Sequence, residues 1–179
     1  MNLSKVSKTL AFLSALLLVA ACSPLSESSF VDMEAINQLQ IKNLSHPERA
    51  TFASGQPGRE ELRALSQAGV KHVINLRPVQ ELDWNEGEFV QSLGMEYYSI
   101  PVKGAAGITV ENAASLSEVL KGIGGEPALV HCSSGNRVGA LIALGAGALK
   151  GANVDEAVNI GKRWGLTRLE PVVREKLAP

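Results

Sequence analysis

The chain has 179 residues, a length suited to one domain, and its hydrophobic share of 45% can support a core. Charged residues make up 20% and the formal net charge is −1, so no basic field points to a nucleic-acid partner. Three scattered histidines, His46, His72 and His131, show no ligand spacing, and the sequence leads us to expect neither metal nor other cofactor.

The first 21 residues read as a secretory signal. Lys5 and Lys8 lie in a short polar start, an apolar run follows from about Leu10 to Val19, and small residues precede Cys22. The run is too short for a comfortable membrane span. The ending "LVAAC" resembles a bacterial lipobox, which makes Cys22 the expected lipidated N-terminus. Cleavage there removes Lys5 and Lys8 and no acid, which takes the formal charge from −1 to −3. Lipid on Cys22 would anchor the protein to a membrane surface. Ser23, rather than an aspartate, follows the cysteine. In a Gram-negative host that implies the bacterial cell envelope, on the periplasmic face of the outer membrane. A polar, serine-rich tether is expected over 22–44 and a folded domain over 45–179.

Within the domain, residues 50–54 read as a short edge strand closed by the turn "SGQPG". "REELRALSQAG" has Leu62 and Leu65 three apart and stops at Gly69, which predicts a helix. "KHVINLR" is a strand closed by Pro78, "NEGEFVQSLG" a short helix, and "MEYYSIPV" the next strand. A helix over 109–125 follows, with Thr109 as its N-cap. "PALVHC" is the buried central strand, and helices are expected over 137–151 and 153–165, with a last turn or two over 168–177. Gly139, Gly145 and Gly147 inside a helix each cost on the order of 0.5–1 kcal/mol relative to alanine, and close packing of that helix on a sheet is the expected reason. Strands alternating with helices predict an α/β fold with a central, mostly parallel four- or five-stranded sheet flanked by helices. In such sheets the ligand crevice lies outside the carboxyl ends of the strands.

Cys132 stands at such an end. If Cys22 carries lipid, Cys132 has no internal disulfide partner, and a lone thiol in an oxidising compartment is a liability unless buried or needed. A thiolate, not a thiol, attacks an electrophile, and it needs positive potential nearby. "HCSSGNRVGA" offers two sources: backbone N–H groups of Ser133, Ser134, Gly135, Asn136, Arg137 and Val138 turning into a helix N-terminus, and the guanidinium of Arg137. The same N–H cradle suits a tetrahedral anion such as phosphate. Gly135 lets the chain turn without a Cβ penalty.

"HCSSGNR" resembles the signature loop of cysteine-dependent protein phosphatases, shortened by one residue between Cys132 and Arg137. With "ASGQPGREELRALSQAGVKHVINLRP" and "YYSIPV", it is similar to a smaller bacterial group of phosphatase-like domains. That group belongs to the dual-specificity/tyrosine phosphatase superfamily and also occurs fused to metallo-β-lactamase-like hydrolases. The resemblance covers about Phe52 to the C-terminus. It implies a dual-specificity-phosphatase-like fold and a hydrolase of phosphate monoesters, either a phosphorylated protein or a small phosphoester, with no nucleic acid as partner. Cys132 would be the nucleophile that forms a phosphocysteine, Arg137 would hold two phosphoryl oxygens, and His131 would order the loop by hydrogen bonds to its backbone. Arg77, in "NLRP", and Gln56, in "SGQP", would line the pocket, or Arg77 would pair with Glu81.

The resemblance is incomplete. Such phosphatases use an aspartate as general acid in the loop after the strand corresponding to "YYSIPV". That loop here is "KGAAGITVEN", with Lys103 and no aspartate; Glu111, Glu81 and Asp83 are the remaining candidates. Val138 stands where a serine or threonine hydroxyl would assist the departing thiolate, leaving Ser133 or Ser134 as substitutes. The Cys-x4-Arg spacing also matches a rhodanese-like sulfurtransferase. The missing acid and hydroxyl also fit a catalytically weak anion-binding envelope lipoprotein.

Overall fold

A computed structural model describes residues 31–178; the expected leader, Cys22 and the start of the tether lie outside that range. Strands β1 (Ser45–Glu48), β2 (Thr51–Ser54), β3 (His72–Asn75), β4 (Glu96–Ser99) and β5 (Ala128–His131) form one sheet in the order β1-β2-β5-β3-β4. Only β1 is antiparallel to its neighbour; β2, β5, β3 and β4 are mutually parallel. This is the mostly parallel α/β sheet expected, with β5 at its centre. The strand at 50–54 is not an edge, because β2 lies between β1 and β5. The edge is β1, "SHPE", where Pro47 lacks an N–H and costs the sheet least.

Among the described residues, seven α-helices accompany the sheet: α1 (Met33–Asn37), α2 (Arg59–Gln67), α3 (Glu86–Ser92), α4 (Val110–Gly122), α5 (Asn136–Ala148), α6 (Val154–Arg163) and α7 (Glu170–Leu177). Thr109 caps α4 as expected, its hydroxyl accepting from Asn112 N at 3.2 Å.

The period of two along β5 divides the interior into two cores. Ala128, Val130 and Cys132 pack with Val138, Leu141 and Leu144 of α5. Leu129 faces the other way, with Phe52, Val73, Leu62 and Leu65. Ile36, fully buried, and Ile41 also belong to this second core. The folded chain therefore begins at or before Asp32, not at Ser45. Burying a side chain like Ile36 contributes about 2 kcal/mol, which a loose tether would forgo. The side chain of Asp32 starts α1 by accepting from Ala35 N at 2.9 Å.

Helix α5 carries ten buried residues of its thirteen. Its glycines serve helix–helix rather than helix–sheet contact. A Cβ on Gly139 would lie 2.6 Å from Gly161 O of α6 and closer still to Leu166 N. Gly139 thus lets the α6 backbone and the turn after it approach the first turn of α5, the turn that carries Arg137. No described helix is long and apolar enough to cross a membrane.

Candidate active site

The site forms where β5 ends and α5 begins. Cys132 is the first residue past the strand, held by its N–H donating to Ser54 O of β2 at 3.3 Å. Gly135 then adopts φ +80° and becomes the N-cap of α5. Only glycine takes this left-handed conformation freely, and it turns the Gly135 N–H back to donate to Cys132 Sγ at 3.1 Å. Such a bond strengthens when the sulfur is charged. The next intrahelical bond runs from Gly139 N to Gly135 O at 3.1 Å. The amides of Asn136, Arg137 and Val138 therefore belong to the helix start, where N–H groups have no intrahelical acceptor. The Val138 side chain itself is fully buried in the core, so its contribution is limited to the backbone.

Arg137 is 9% exposed and points to one partner set. Nη1 donates to Glu81 Oε1 at 2.9 Å and to Val102 O at 2.7 Å; Nη2 donates to Glu81 Oε2 at 2.7 Å. A guanidinium has five N–H donors, and these bonds use three of them. The two left, on Nε and Nη2, lie on one edge, which is the geometry that grips two oxygens of a tetrahedral anion. Burial opposes the charge on Arg137, but the Glu81 bonds and the neighbouring Cys132 more than offset it, and its affinity for the proton rises.

Glu81, considered from sequence as a general acid, has a different role here. The Arg137 hydrogen bond, with further help from Arg77, holds its carboxyl below the ordinary glutamate value of 4.5 in spite of some burial. An acid held ionised is the wrong form to donate a proton, and this one serves to aim Arg137. Because its folded value is depressed, the pair stabilises the fold above pH 4.5, and that stabilisation disappears as pH falls through the lower folded value. The urea midpoint of Glu81→Gln should lie below wild type at neutral pH and converge on it below pH 4.5; a gap independent of pH would contradict the pairing. Asp83 is exposed and makes no hydrogen bond or ion pair among the described residues. Glu111 lies on the exposed first turn of α4, its carboxyl lowered by local backbone and Thr109 hydrogen bonds. Neither is poised as an acid at the loop.

The other expectations divide. Arg77 does pair with Glu81: Nε lies 3.5 Å from Oε2 and Nη2 donates to the Glu81 carbonyl. Its Nη1 donates to Gln56 Oε1 at 2.6 Å, so both residues brace the Glu81 segment rather than line the loop's cleft. The His131 ring makes no hydrogen bond to the loop among the described residues. It lies on the opposite strand face from Cys132, fully buried, with Nε2 3.1 Å from Glu86 Oε1 but poorly aligned for a hydrogen bond. Asn136 uses its side chain for structure: Oδ1 accepts from Thr167 N at 2.8 Å and Leu169 N at 3.4 Å. Ser134 is held by Asn43 Nδ2, which donates to its carbonyl at 3.0 Å. Sequence reasoning missed Glu86, which is 1% exposed and accepts from Asn75 Nδ2 at 2.6 Å and Gln56 Nε2 at 2.9 Å. An acid in the first turn of a helix reads from sequence as a dipole partner, and no local signal marks it as buried.

A cleft of about 430 Å³ opens at the loop, lined by Glu81, Gly104, Ala105, Ser133, Ser134, Asn136, Arg137, Arg168 and Leu169. Cys132 is not on its wall and is 1% exposed. A larger space of about 570 Å³ lies between α4, α5 and α6, but without this chemistry. Among the described residues, no cluster of three or more His, Cys, Asp or Glu is placed to hold a metal.

No protein-family model matches the chain, and no curated protein does. Solved structures do. A DUF442 candidate phosphatase from Shewanella putrefaciens CN-32 is 25% identical, with a TM-score of 0.60 over 80% of this chain and 95% of that one. A candidate phosphatase from Neisseria meningitidis z2491 is 23% identical, with a TM-score of 0.60 over 73% and 93%. A cysteine-to-serine variant of P. aeruginosa TpbA, in complex with phosphotyrosine, is 16% identical, with a TM-score of 0.57 over 82% and 89%. The chain has the fold of the cysteine-dependent tyrosine and dual-specificity phosphatases. In this phosphatase fold the loop from Cys132 to Arg137 lies at the carboxyl end of the central strand, where the sheet's crevice is expected.

Proposed function

We propose that the protein is a phosphoric monoester hydrolase that works through a phosphocysteine at Cys132. The observation that carries this reading is the pair of donors left on the Nε–Nη2 edge of Arg137, beside a sulfur that already accepts from Gly135 N–H. The phosphatase neighbours support it. Two phosphoryl oxygens bind the free guanidinium edge, and the amides at the start of α5 take the remaining charge. Cys132 Sγ attacks phosphorus; the P–S bond forms as the bond to the leaving oxygen breaks. Water then attacks the phosphocysteine, releasing inorganic phosphate and the thiolate. Catalysis on this scheme is mainly positioning and charge stabilisation. Cys132 is 1% exposed, so attack on phosphorus requires the sulfur to become accessible first.

The cleft offers no protonated acid for the leaving oxygen, because Glu81, the one carboxyl in its lining, is paired with Arg137. Good leaving groups, such as aryl oxides, are therefore the substrates turned over fastest, and phosphotyrosine is favoured over phosphoserine. The discriminating assay compares p-nitrophenyl phosphate hydrolysis with sulfur transfer from thiosulfate to cyanide, in wild type and Cys132→Ser. The proposal expects hydrolysis only, lost in the variant. Sulfur transfer instead would establish the rhodanese-like reading. Phosphate binding without turnover would leave an anion-binding protein.

The lipid anchor at Cys22 and the envelope location belong to the same proposal, and rest on the lipobox-like "LVAAC". Metabolic labelling with palmitate should mark the wild-type chain and not Cys22→Ala; equal labelling of both would remove the anchor.

A further inference from the structure

We propose that Arg168 reads a second anionic group on the substrate, next to the phosphate held by the 132–137 loop. This rests on the phosphatase reading of that loop. Arg168 lines the same cleft as Ser133, Ser134 and Arg137, although it comes from the turn between α6 and α7, about thirty residues further along the chain. Two features fix that turn to the loop. Asn136, next to Arg137, spends its side-chain oxygen on Thr167 N at 2.8 Å and Leu169 N at 3.4 Å, the residues on either side of Arg168. Gly165, at φ +94°, packs so closely that a Cβ there would lie 3.2 Å from Gly135 O. The loop residue that sequence suggests as a substrate ligand thus delivers a second cation to the cleft.

The charge of Arg168 is available. Among the described residues it makes no ion pair. The nearest acid along the chain, Glu170, is engaged by Lys162 at 2.9 Å and by Arg174 at 2.9 Å. Glu81, the other charged group on the cleft wall besides the two arginines, is held by Arg137 at 2.7 Å. A substrate with only one phosphate uses Arg137 and the loop amides and leaves Arg168 in solvent. A substrate with a neighbouring carboxylate or second phosphate engages both. The guanidinium fork suits either anion.

The test is the ratio of kcat/KM for 3-carboxyphenyl phosphate to that for its neutral 3-carbamoylphenyl analogue, in wild type and in Arg168→Gln. Comparing the same two substrates across the two proteins cancels the electronic difference between the phenols. The ratio should fall about fivefold in Arg168→Gln, the upper range for an exposed charge pair, and recover in Arg168→Lys. It should also shrink with added salt in wild type and not in the glutamine variant. The same two ligands titrated calorimetrically into Cys132→Ser protein read the charge preference without chemistry. Absence of turnover with a preserved binding preference would sink the enzymatic reading alone. An equal ratio in wild type and Arg168→Gln, in both kinetics and binding, would overturn the role of Arg168.

Discussion

Arg137→Lys should lower kcat/KM for an aryl phosphate by roughly 10²–10³-fold, the range seen when a preorganised donor to a developing oxyanion is lost. Lysine keeps the positive charge and can still meet Glu81, 2.7 Å from the guanidinium in wild type. What it lacks is the second edge. With Nη1 and half of Nη2 committed to Glu81 and Val102 O, the arginine still presents two parallel N–H groups; an ammonium is a point charge without that fork. The measurement is steady-state kinetics beside a thermal melt, so that misfolding is distinguished from loss of chemistry. A loss of only a few-fold in a folded variant would mean that the charge, and not the planar fork, is what the phosphoryl group uses.

Across a series of aryl phosphates, kcat/KM should fall steeply as the leaving phenol becomes more basic. A positioned general acid contributes about 10²–10⁴-fold, and it contributes most for poor leaving groups. The 103–107 segment that would carry one is "KGAAG", and the one carboxyl on the cleft wall is committed to Arg137. A leaving phenol like that of tyrosine, with a pKa of about 10, must therefore depart as the anion. p-Nitrophenyl phosphate should exceed phenyl phosphate by about 10²-fold or more, the size of the missing contribution. Near-equal rates would show that another residue, Glu81 included, delivers a proton.

Much of the frame is legible in the sequence because its signals are local. The apolar run "PALV" ending in "HC", the glycine at 135 and the helix after Arg137 locate the loop at the carboxyl end of a buried strand. Thr109 marks the start of α4 in the same way. The unreadable parts depend on contacts between distant segments. "SHPE" carries no β-forming pattern and becomes β1 only because β2 presents an edge to it. "MEAIN" looks like tether and becomes α1 because Ile36 finds the core under α2. His131 follows from simple alternation: one residue from Cys132 on a strand means the opposite face, towards Glu86 of α3. Asn136 and Glu81 are the more instructive cases. Both sit where sequence suggests work on the substrate, and both spend their side chains on other parts of the protein, Asn136 on the 167–169 turn and Glu81 on Arg137. A polar residue in a loop reveals its chemistry, but not which long-range partner takes it.

On the proposed mechanism every turnover passes through a covalent bond between phosphorus and Cys132. Wild-type protein mixed with p-nitrophenyl phosphate, quenched in acid within one turnover and digested, should yield a peptide containing Cys132 heavier by one phosphoryl group. Cys132→Ser protein treated alike should yield none. A burst of p-nitrophenol with no phosphoryl group on Cys132, or turnover that survives the loss of this cysteine, would contradict it.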